Sequence, residues 1–458
     1  MLRLTLAFYF FSPALALAAI GTGIGFSAKG SSLGGMSSNL ERDGLSAFYN
    51  PAQMSQPRNG HSKRQPSEKA SPETQSGNIQ FTWGFIFMEP QFKAIPGPVV
   101  TQNTTNGDAV VSGSVDTDYP TVIGQAIGLN YRNKNHALKP SFGLVIYLPI
   151  DRFALIDSGE PFLPDYVLYR SRLQKPEFHF GAGLQLKPQW RLGAGVQLGA
   201  GLNAKTDVFL QPDSSKSSSM RIAASLKTKA SPYFGTQIEL TPAITSGLTF
   251  RLPLSNPQTL QVRASGRVIG DLSALDFSFQ SLSTAYYEPM QVEWGNTIAL
   301  PNDSKLHLQL DYQAWSRYES PNLEIDTTNT SNCAPNCGGL VFASSKYPSF
   351  TTKDVFVPRV GLELGMFRVG YAYESSIFSD PPVTHNLLDP SRHRISAGYG
   401  FHGSDFIGTF MAWTLDFSAT YSVLESYSVQ KSGDAIGAPG FDVGGNLFGG
   451  GVSLNLSL

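Results

Sequence analysis

The chain has 458 residues and a net charge of −1, with 41% hydrophobic, 12% aromatic and 15% charged positions, against roughly 25% charged in an average soluble domain. That balance excludes disorder and gives no electrostatic basis for a nucleic-acid partner. After the N-terminus no stretch is apolar for longer than FGLVIYLPI at 142–150, so helical membrane spans are excluded, leaving a large soluble protein or a membrane β-barrel.

Residues 1–18 read as a secretory signal peptide. Arg3 is the early positive charge, Leu4 to Phe11 the apolar run, and Ala16-Leu17-Ala18 the A-x-A cleavage site. Ser12 and Pro13 interrupt the run well short of the ~20 apolar residues an anchor helix needs. Next come residues 19–54, dominated by the small-residue segment GSSLGGMSSNLERDGLSAFYNPAQMS from Gly30 to Ser55. Near its end, in Asn50-Pro51-Ala52, proline fixes φ and pushes Asn50 out of helical geometry, while the asparagine amide can bond backbone groups. Residues 55–78 are polar, proline-containing and mixed in charge, which reads as a flexible insertion with no packable face.

From residue 79 onward the dominant signal is alternation. Leu306, Leu308, Leu310, Tyr312 and Ala314 alternate with His307, Gln309, Asp311 and Gln313, and the same period marks Phe178 to Leu186 and Leu192 to Ala200. Strands are expected near 79–88, 121–132, 140–150, 176–187, 190–203, 220–240, 245–267, 275–300, 304–318, 354–364, 366–376, 391–402, 406–424 and 441–458. Alternation by itself fits a soluble sandwich or a barrel. Connection lengths separate the two. Short turns at 133–139, 187–189, 241–245, 301–304, around Gly365 and at 402–405 are interleaved with long segments at 89–120, 151–175, 204–219, 319–353, 377–390 and 425–440. Such segregation is what a barrel with its long loops outside and its short turns in the periplasm requires. The expected fold is therefore all-β, a 14-stranded antiparallel transmembrane β-barrel over residues 79–458. Its last strand alternates Val452, Leu454, Leu456 and Leu458 with Gly451, Ser453, Asn455 and Ser457, ending on leucine where barrel proteins usually end on an aromatic residue.

Little in the chain points to catalysis or cofactors. Cys333 and Cys337, in NCAPNCGG, read as a local disulfide of an exported protein, because a metal site needs further ligands that this segment lacks. The seven histidines, His61, His136, His179, His307, His385, His393 and His402, are scattered over loops and polar strand faces, and neither G-x-S-x-G nor H-E-x-x-H occurs. No enzyme activity, catalytic residue, cofactor or metal is expected. Gly21-x-Gly23-x-Gly25 and Gly193-x-Gly195 lack a nucleotide fingerprint's strand-turn-helix context and read as small residues where backbones approach. Arg392 and His393, beside Asp389, invite a carboxylate-binding role but read more simply as a structural salt bridge.

Several of these segments together resemble the long-chain fatty acid transporter family of outer-membrane proteins, the FadL/TodX type. They are the segment ending in Asn50-Pro51-Ala52, LDYQAWSRYESP (Leu310–Pro321), FHFGAGLQLKPQWRLGAGVQL, and RVGYAYESSIF with LLDPSRHRISAGYGF between Arg368 and Phe401. Coverage runs over essentially the whole mature chain. The chain departs from the family pattern at Asn39-Leu40-Glu41-Arg42-Asp43, where small residues are common, and at Gln53, where glycine often follows the Asn-Pro-Ala turn. The resemblance implies an N-terminal helical hatch, or plug, over residues 19–54 inside the barrel, carrying the hatch motif Asn50, Pro51 and Ala52. It also implies passive uptake of hydrophobic small molecules, long-chain fatty acids or aromatic hydrocarbons, across the bacterial outer membrane. The partners implied are the hydrophobic substrate, outer-membrane lipid and, during biogenesis, the barrel-assembly machinery. Leu275, Phe277, Phe279, Tyr286 and Tyr287, within Leu272 to Tyr287, form the best candidate surface, dense in apolar residues for a loop-strand junction and suiting either substrate binding or a lipid-facing girdle. A general diffusion porin and a surface adhesion protein are the rival readings of the same fold.

Overall fold

The alternation closes into a continuous wall. In a computed structural model, which describes residues 25–40, 42–56, 78–95, 99–104, 107–112, 115, 117, 119–150, 163–169, 175–210, 219–266, 275–318, 324–329, 350–404, 406, 408, 411–432 and 437–458, nineteen strands occur among the described residues. They are β1 (Ile79–Phe92), β2 (Val99–Thr104), β3 (Gly107–Ser112), β4 (Val122–Arg132), β5 (Ser141–Pro149), β6 (Glu177–Lys187), β7 (Trp190–Leu210), β8 (Ser219–Thr241), β9 (Ile244–Arg251), β10 (Leu254–Gly266), β11 (Leu275–Glu288), β12 (Gln291–Leu300), β13 (Ser304–Gln313), β14 (Glu324–Asn329), β15 (Val355–Leu364), β16 (Phe367–Glu374), β17 (Arg392–Gly403), β18 (Ala412–Gln430) and β19 (Gly440–Ser457). Fourteen of them, β1, β4 to β9, β12, β13 and β15 to β19, form one ring in which each neighbouring pair is antiparallel. β19 returns to β1, from Gln80 opposite Ser457 to Phe92 opposite Gly445, so the ring has no open edge.

The two faces of this wall are inverted relative to a soluble protein. Trp83, Phe142, Phe234, Trp294, Phe356 and Ile395 are exposed on the outside, whereas Asn130, Gln237, Glu293, Asp311, Arg359 and Asp416 are buried on the inside. A period of two puts the two sets on opposite faces. Only lipid outside and a polar lumen inside make that arrangement favourable, which defines a transmembrane barrel of the outer-membrane kind. No helix among the described residues is long and apolar enough to cross a membrane.

The short connections, at 133–140, 188–189, 242–243, 301–303, 365–366 and 404–411, alternate with long ones around the ring, as the sequence implies. Two of the tight turns need a left-handed backbone: Asn302 and Asp303 have φ of 59° and 56° and Gly365 has 60°, values these residue types tolerate.

Two expected strands are each divided. The span 245–267 is β9 and then β10, broken at Leu252-Pro253, and 275–300 is β11 and then β12, broken at Pro289-Met290. Proline has no N–H for the ladder, so the sheet can change direction there. Below the breaks β9 and β12 pair in the wall, Arg251 opposite Gln291. Beyond them β10 and β11 continue as a hairpin that leaves the ring, β10 running parallel to the upper half of β7 from Thr259 opposite Asn203 to Gly266 opposite Leu210. β11 in turn pairs with β14, inside what the sequence read as loop 319–353. A five-stranded sheet ordered β8, β7, β10, β11, β14 thus extends from the long-loop end. A further hairpin, β2 with β3, lies within 89–120. β18 starts at Ala412 and runs to Gln430, later than the expected 406–424.

Candidate functional site

Residues 25–56 line the inside of this wall, and among them only Lys29, Asp43 and Gln56 are more than slightly exposed, residue 41 lying outside the description. Their regular structure is limited to the helices Ala28–Ser32 and Ser46–Tyr49 and a 3-10 turn, Pro51–Ser55. Helices of one turn are not stable alone, so the order of this segment comes from its caps and from the barrel. Ser27 Oγ accepts from the Gly30 N–H at 3.0 Å. Asp43 Oδ1 accepts from the Leu45 N–H at 2.8 Å while Ser46 Oγ accepts from the Asp43 N–H at 2.9 Å, a reciprocal cap. The Tyr49 hydroxyl accepts from the Phe26 and Ser27 N–H groups, each at 2.7 Å, and ties the two ends of the segment together.

Asn50 does what its proline neighbour permits. Its extended backbone (φ −150°, ψ 110°) starts the 3-10 turn, and Oδ1 accepts from the Ala52 N–H at 3.0 Å. Nδ2 donates to the Ser38 carbonyl at 2.9 Å and to the Thr236 carbonyl of β8 at 3.1 Å. One side chain therefore holds the turn, the segment and the wall.

The wall makes room with glycine. A Cβ at Gly235 would overlap Asn50, one at Gly193 would overlap Pro51, one at Gly247 would overlap the Ser38 carbonyl, and one at Gly370 would overlap Gly34. These four residues are inward positions of β8, β7, β9 and β16, so the cradle surrounds the segment on opposite sides of the ring.

Buried charges complete the contact. Arg251 donates to the Phe48 carbonyl and, at 3.0 Å, to the Tyr49 carbonyl, and pairs with Glu293 at 3.3 Å. Glu293 in turn accepts from the Ser37 hydroxyl at 2.9 Å. Across the lumen Arg359 donates to the Gly34 carbonyl at 2.6 Å and pairs with Asp311 at 2.7 Å, and Lys29 pairs with Glu363 at 3.2 Å. Phe26 stacks on Tyr147 with centroids 5.0 Å apart, and Phe48 meets His179 edge-on at 4.8 Å. Although part of Asp43 is exposed, its carboxyl is enclosed by segment and wall, and this desolvation lifts it to about 6 from 3.8, against the lowering effect of its bonds from Leu45 and Ser46.

A second cluster of contacts sits toward the long-loop end. Tyr166 stacks on Phe92 at 3.9 Å, and its hydroxyl accepts from the Gly444 N–H at 3.0 Å and donates to the Gly444 carbonyl at 3.1 Å. Asp165 exchanges backbone bonds with the 386–388 segment, 2.9 Å to the Asn386 carbonyl and 2.7 Å from the Leu388 N–H. Residues 163–169 therefore link the β19 side of the mouth to the connection between β16 and β17.

Of the residues singled out in the sequence, Asn50, Pro51 and Ala52 are together at the wall contact. Leu275, Phe277, Phe279, Tyr286 and Tyr287 all lie on β11, outside the ring; the side chains of the first four lie outside the description, and Tyr287 is buried, 6.0 Å from the Trp315 ring and 5.6 Å from that of Tyr318. Cys333, Cys337, the signal residues 1–18 and 57–77 of the insertion lie outside the described residues. Arg392 is in an ion-pair cluster with Glu374 and Asp389, and donates to the Tyr169 hydroxyl at 2.6 Å. No three His, Cys, Asp or Glu side chains among the described residues gather as a metal site. Arg251, Glu293 and Arg359 were not foreseen; the sequence signal for them is a lone charge at an inward strand position, which many solvated lumen residues share.

Wall and buried segment together define a transmembrane β-barrel whose lumen holds an N-terminal segment of its own chain. The chain matches no protein-family model and no curated protein sequence. Its fold is that of the FadL/TodX type. It resembles a FadL homologue of Pseudomonas aeruginosa (13% identity, 97% of this chain and 99% of that one, TM-score 0.51) and the toluene transporter TodX of P. putida (12% identity, 95% and 99%, TM-score 0.50).

Proposed function

We propose that the protein is an outer-membrane channel for passive uptake of hydrophobic small molecules, gated by its N-terminal plug. The observation that carries this reading is the seating of residues 25–56 in a glycine cradle, where Arg251 and Arg359 hold backbone carbonyls of the segment and the Thr236 carbonyl holds the Asn50 side chain. A plug held by side-chain contacts, with no strand of its own in the ladder of the ring, can be displaced without unfolding the wall. The fold shared with a toluene transporter and a FadL homologue supports hydrophobic cargo, long-chain fatty acids or aromatic hydrocarbons, with the substrate, lipid and the barrel-assembly machinery as partners. Residues 1–18 act as signal peptide, 19–54 as hatch, 55–78 as insertion and 79–458 as barrel. No catalytic step belongs to this reading.

Leu275, Phe277, Phe279, Tyr286 and Tyr287 are the proposed capture residues, and Cys333 and Cys337 the proposed disulfide, which maleimide labelling of the unreduced protein reads directly. Two labelled thiols would remove the bridge. A general diffusion porin is the second reading, and the occupied lumen speaks against it; a surface adhesion protein would work with the plug locked in place. Planar-bilayer conductance of a chain lacking residues 22–54 tests the gate, and hydrophobic-solute uptake by the intact chain tests the cargo.

A further inference from the structure

The wall carries one apolar face that is too long for the membrane it serves. A transmembrane strand needs about 9–11 residues, yet β7 has 21 and β8 has 23, paired without a register break from Trp190 opposite Ile238 to Phe209 opposite Ser219. Because the register is unbroken, neither face flips. The lipid-side positions, even-numbered on both strands, carry no charged residue from Leu192 to Leu210 or from Met220 to Leu240. Other strands behave differently toward the long-loop end, where Glu89 on β1 and the pair of His393 and Glu425 on β17 and β18 put ionisable groups on the lipid side.

At the far end of the hairpin Met220 is 65% exposed and Ile222 61% exposed, beside exposed Ala224. The opposite, odd-numbered face of the same segment is basic. Arg221, Lys227 and Lys229 are exposed, and Lys205, opposite Ala223, is exposed next to Asp207 at 3.8 Å. The same face assignment passes through the parallel pairing to β10, where Val262 stands opposite Thr206 and Ala264 opposite Val208, and on to the register positions of Phe279 and Phe277. Strands β8, β7 and β10 therefore present an apolar side continuous with the lipid belt and a mainly basic side away from it, whereas the register positions of Asp276 on β11 and of Glu324 and Asp326 on β14 make the same side acidic farther out.

We propose that the upper half of the β7–β8 hairpin, with β10 beside it, seats on the outer leaflet, its apolar side on the acyl chains and its basic side among anionic lipid headgroups. Continuity with the belt says what the apolar side contacts, and charge complementarity says what the other side meets, the pattern of interfacial amphipathic elements. Seating does not depend on the transport reading, although it would put the proposed capture residues where hydrophobic molecules dissolve.

The test places an environment-sensitive nitrobenzoxadiazole dye at Ile222→Cys, in the full chain with Cys333→Ser and Cys337→Ser, in nanodiscs of phosphatidylcholine with or without phosphatidylglycerol. Heat-modifiable gel mobility confirms that each barrel is folded. The proposal expects blue-shifted emission shielded from iodide, a further several-fold shielding when phosphatidylglycerol is present, and loss of that increment in Arg221→Gln/Lys227→Gln/Lys229→Gln. The same dye at Lys227→Cys should stay more accessible to iodide. Water-like emission at 222 in both discs overturns the proposal, as does shielding indifferent to lipid charge. Shielding that needs two proteins per disc would assign the face to a second copy, and shielding that needs an added hydrophobic solute would assign it to cargo; either result also overturns it.

Discussion

A methyl group at Gly235 would overlap the side-chain oxygen of Asn50, the atom that caps the plug's 3-10 turn. Gly235 stands in β8 beside Thr236, whose carbonyl accepts from the same Asn50 amide at 3.1 Å. Gly235→Ala should therefore unseat the turn while leaving the ring intact, since overpacking a tight contact costs about 1–3 kcal/mol. Single-channel recordings should find a leak absent from the unmodified protein. A folded Gly235→Ala barrel with the original conductance would separate this contact from gating.

Arg251 joins plug to wall differently, through two plug carbonyls and the Glu293 carboxylate. Arg251→Met leaves Glu293 buried without its partner, a loss on the order of 3–5 kcal/mol for a buried pair. Its expected effects are a leaking channel and a lower unfolding temperature. Arg251→Met/Glu293→Gln should recover part of the thermal loss but little of the seal, because the plug carbonyls still lack their donor. Recovery of both would show that the ion pair alone matters.

The barrel was largely legible in the sequence because a period of two and a two-length set of connections are local properties, visible at Leu306–Ala314 and at the short turns. The extended Asn50 backbone ahead of Pro51 was legible for the same reason, since proline restricts the residue before it. The cradle was not. Gly193, Gly235, Gly247 and Gly370 look like any other small inward residues until the ring brings β7, β8, β9 and β16 around the plug. The departure of β10 and β11 from the wall was half visible, in Pro253 and Pro289, but which strand β10 would join depends on the free upper edge of β7, which no local pattern encodes.

Asp43 gives the plug a pH dependence of definite sign. Its carboxyl is raised to about 6 in the seated plug and has its usual 3.8 when released into water. The seated state therefore binds the proton more tightly; it is most stable below about pH 4, loses stability as pH rises toward 6 and changes no further above that. Leak conductance should rise across that window, and Asp43→Asn should flatten the profile. A leak that grows on acidification through the same window would contradict the assignment.

Phe277 and Phe279 occupy one face of β11, alternating with Ser278 and Gln280. If they capture cargo, replacing both with serine should weaken binding of a fluorescent long-chain fatty acid at least tenfold, for a loss on the order of 2–5 kcal/mol on removing two buried rings. Unchanged affinity would move the capture site elsewhere.

The most direct measurement is planar-bilayer conductance of the chain lacking residues 22–54, compared with the full chain in the same lipid. Seating of residues 25–56 against the glycine cradle requires that the shortened barrel fold and conduct more, with hydrophobic-solute uptake no longer responsive to Gly235→Ala. A folded barrel of unchanged conductance would mean that these residues do not close the lumen, and the gated-channel account would fail.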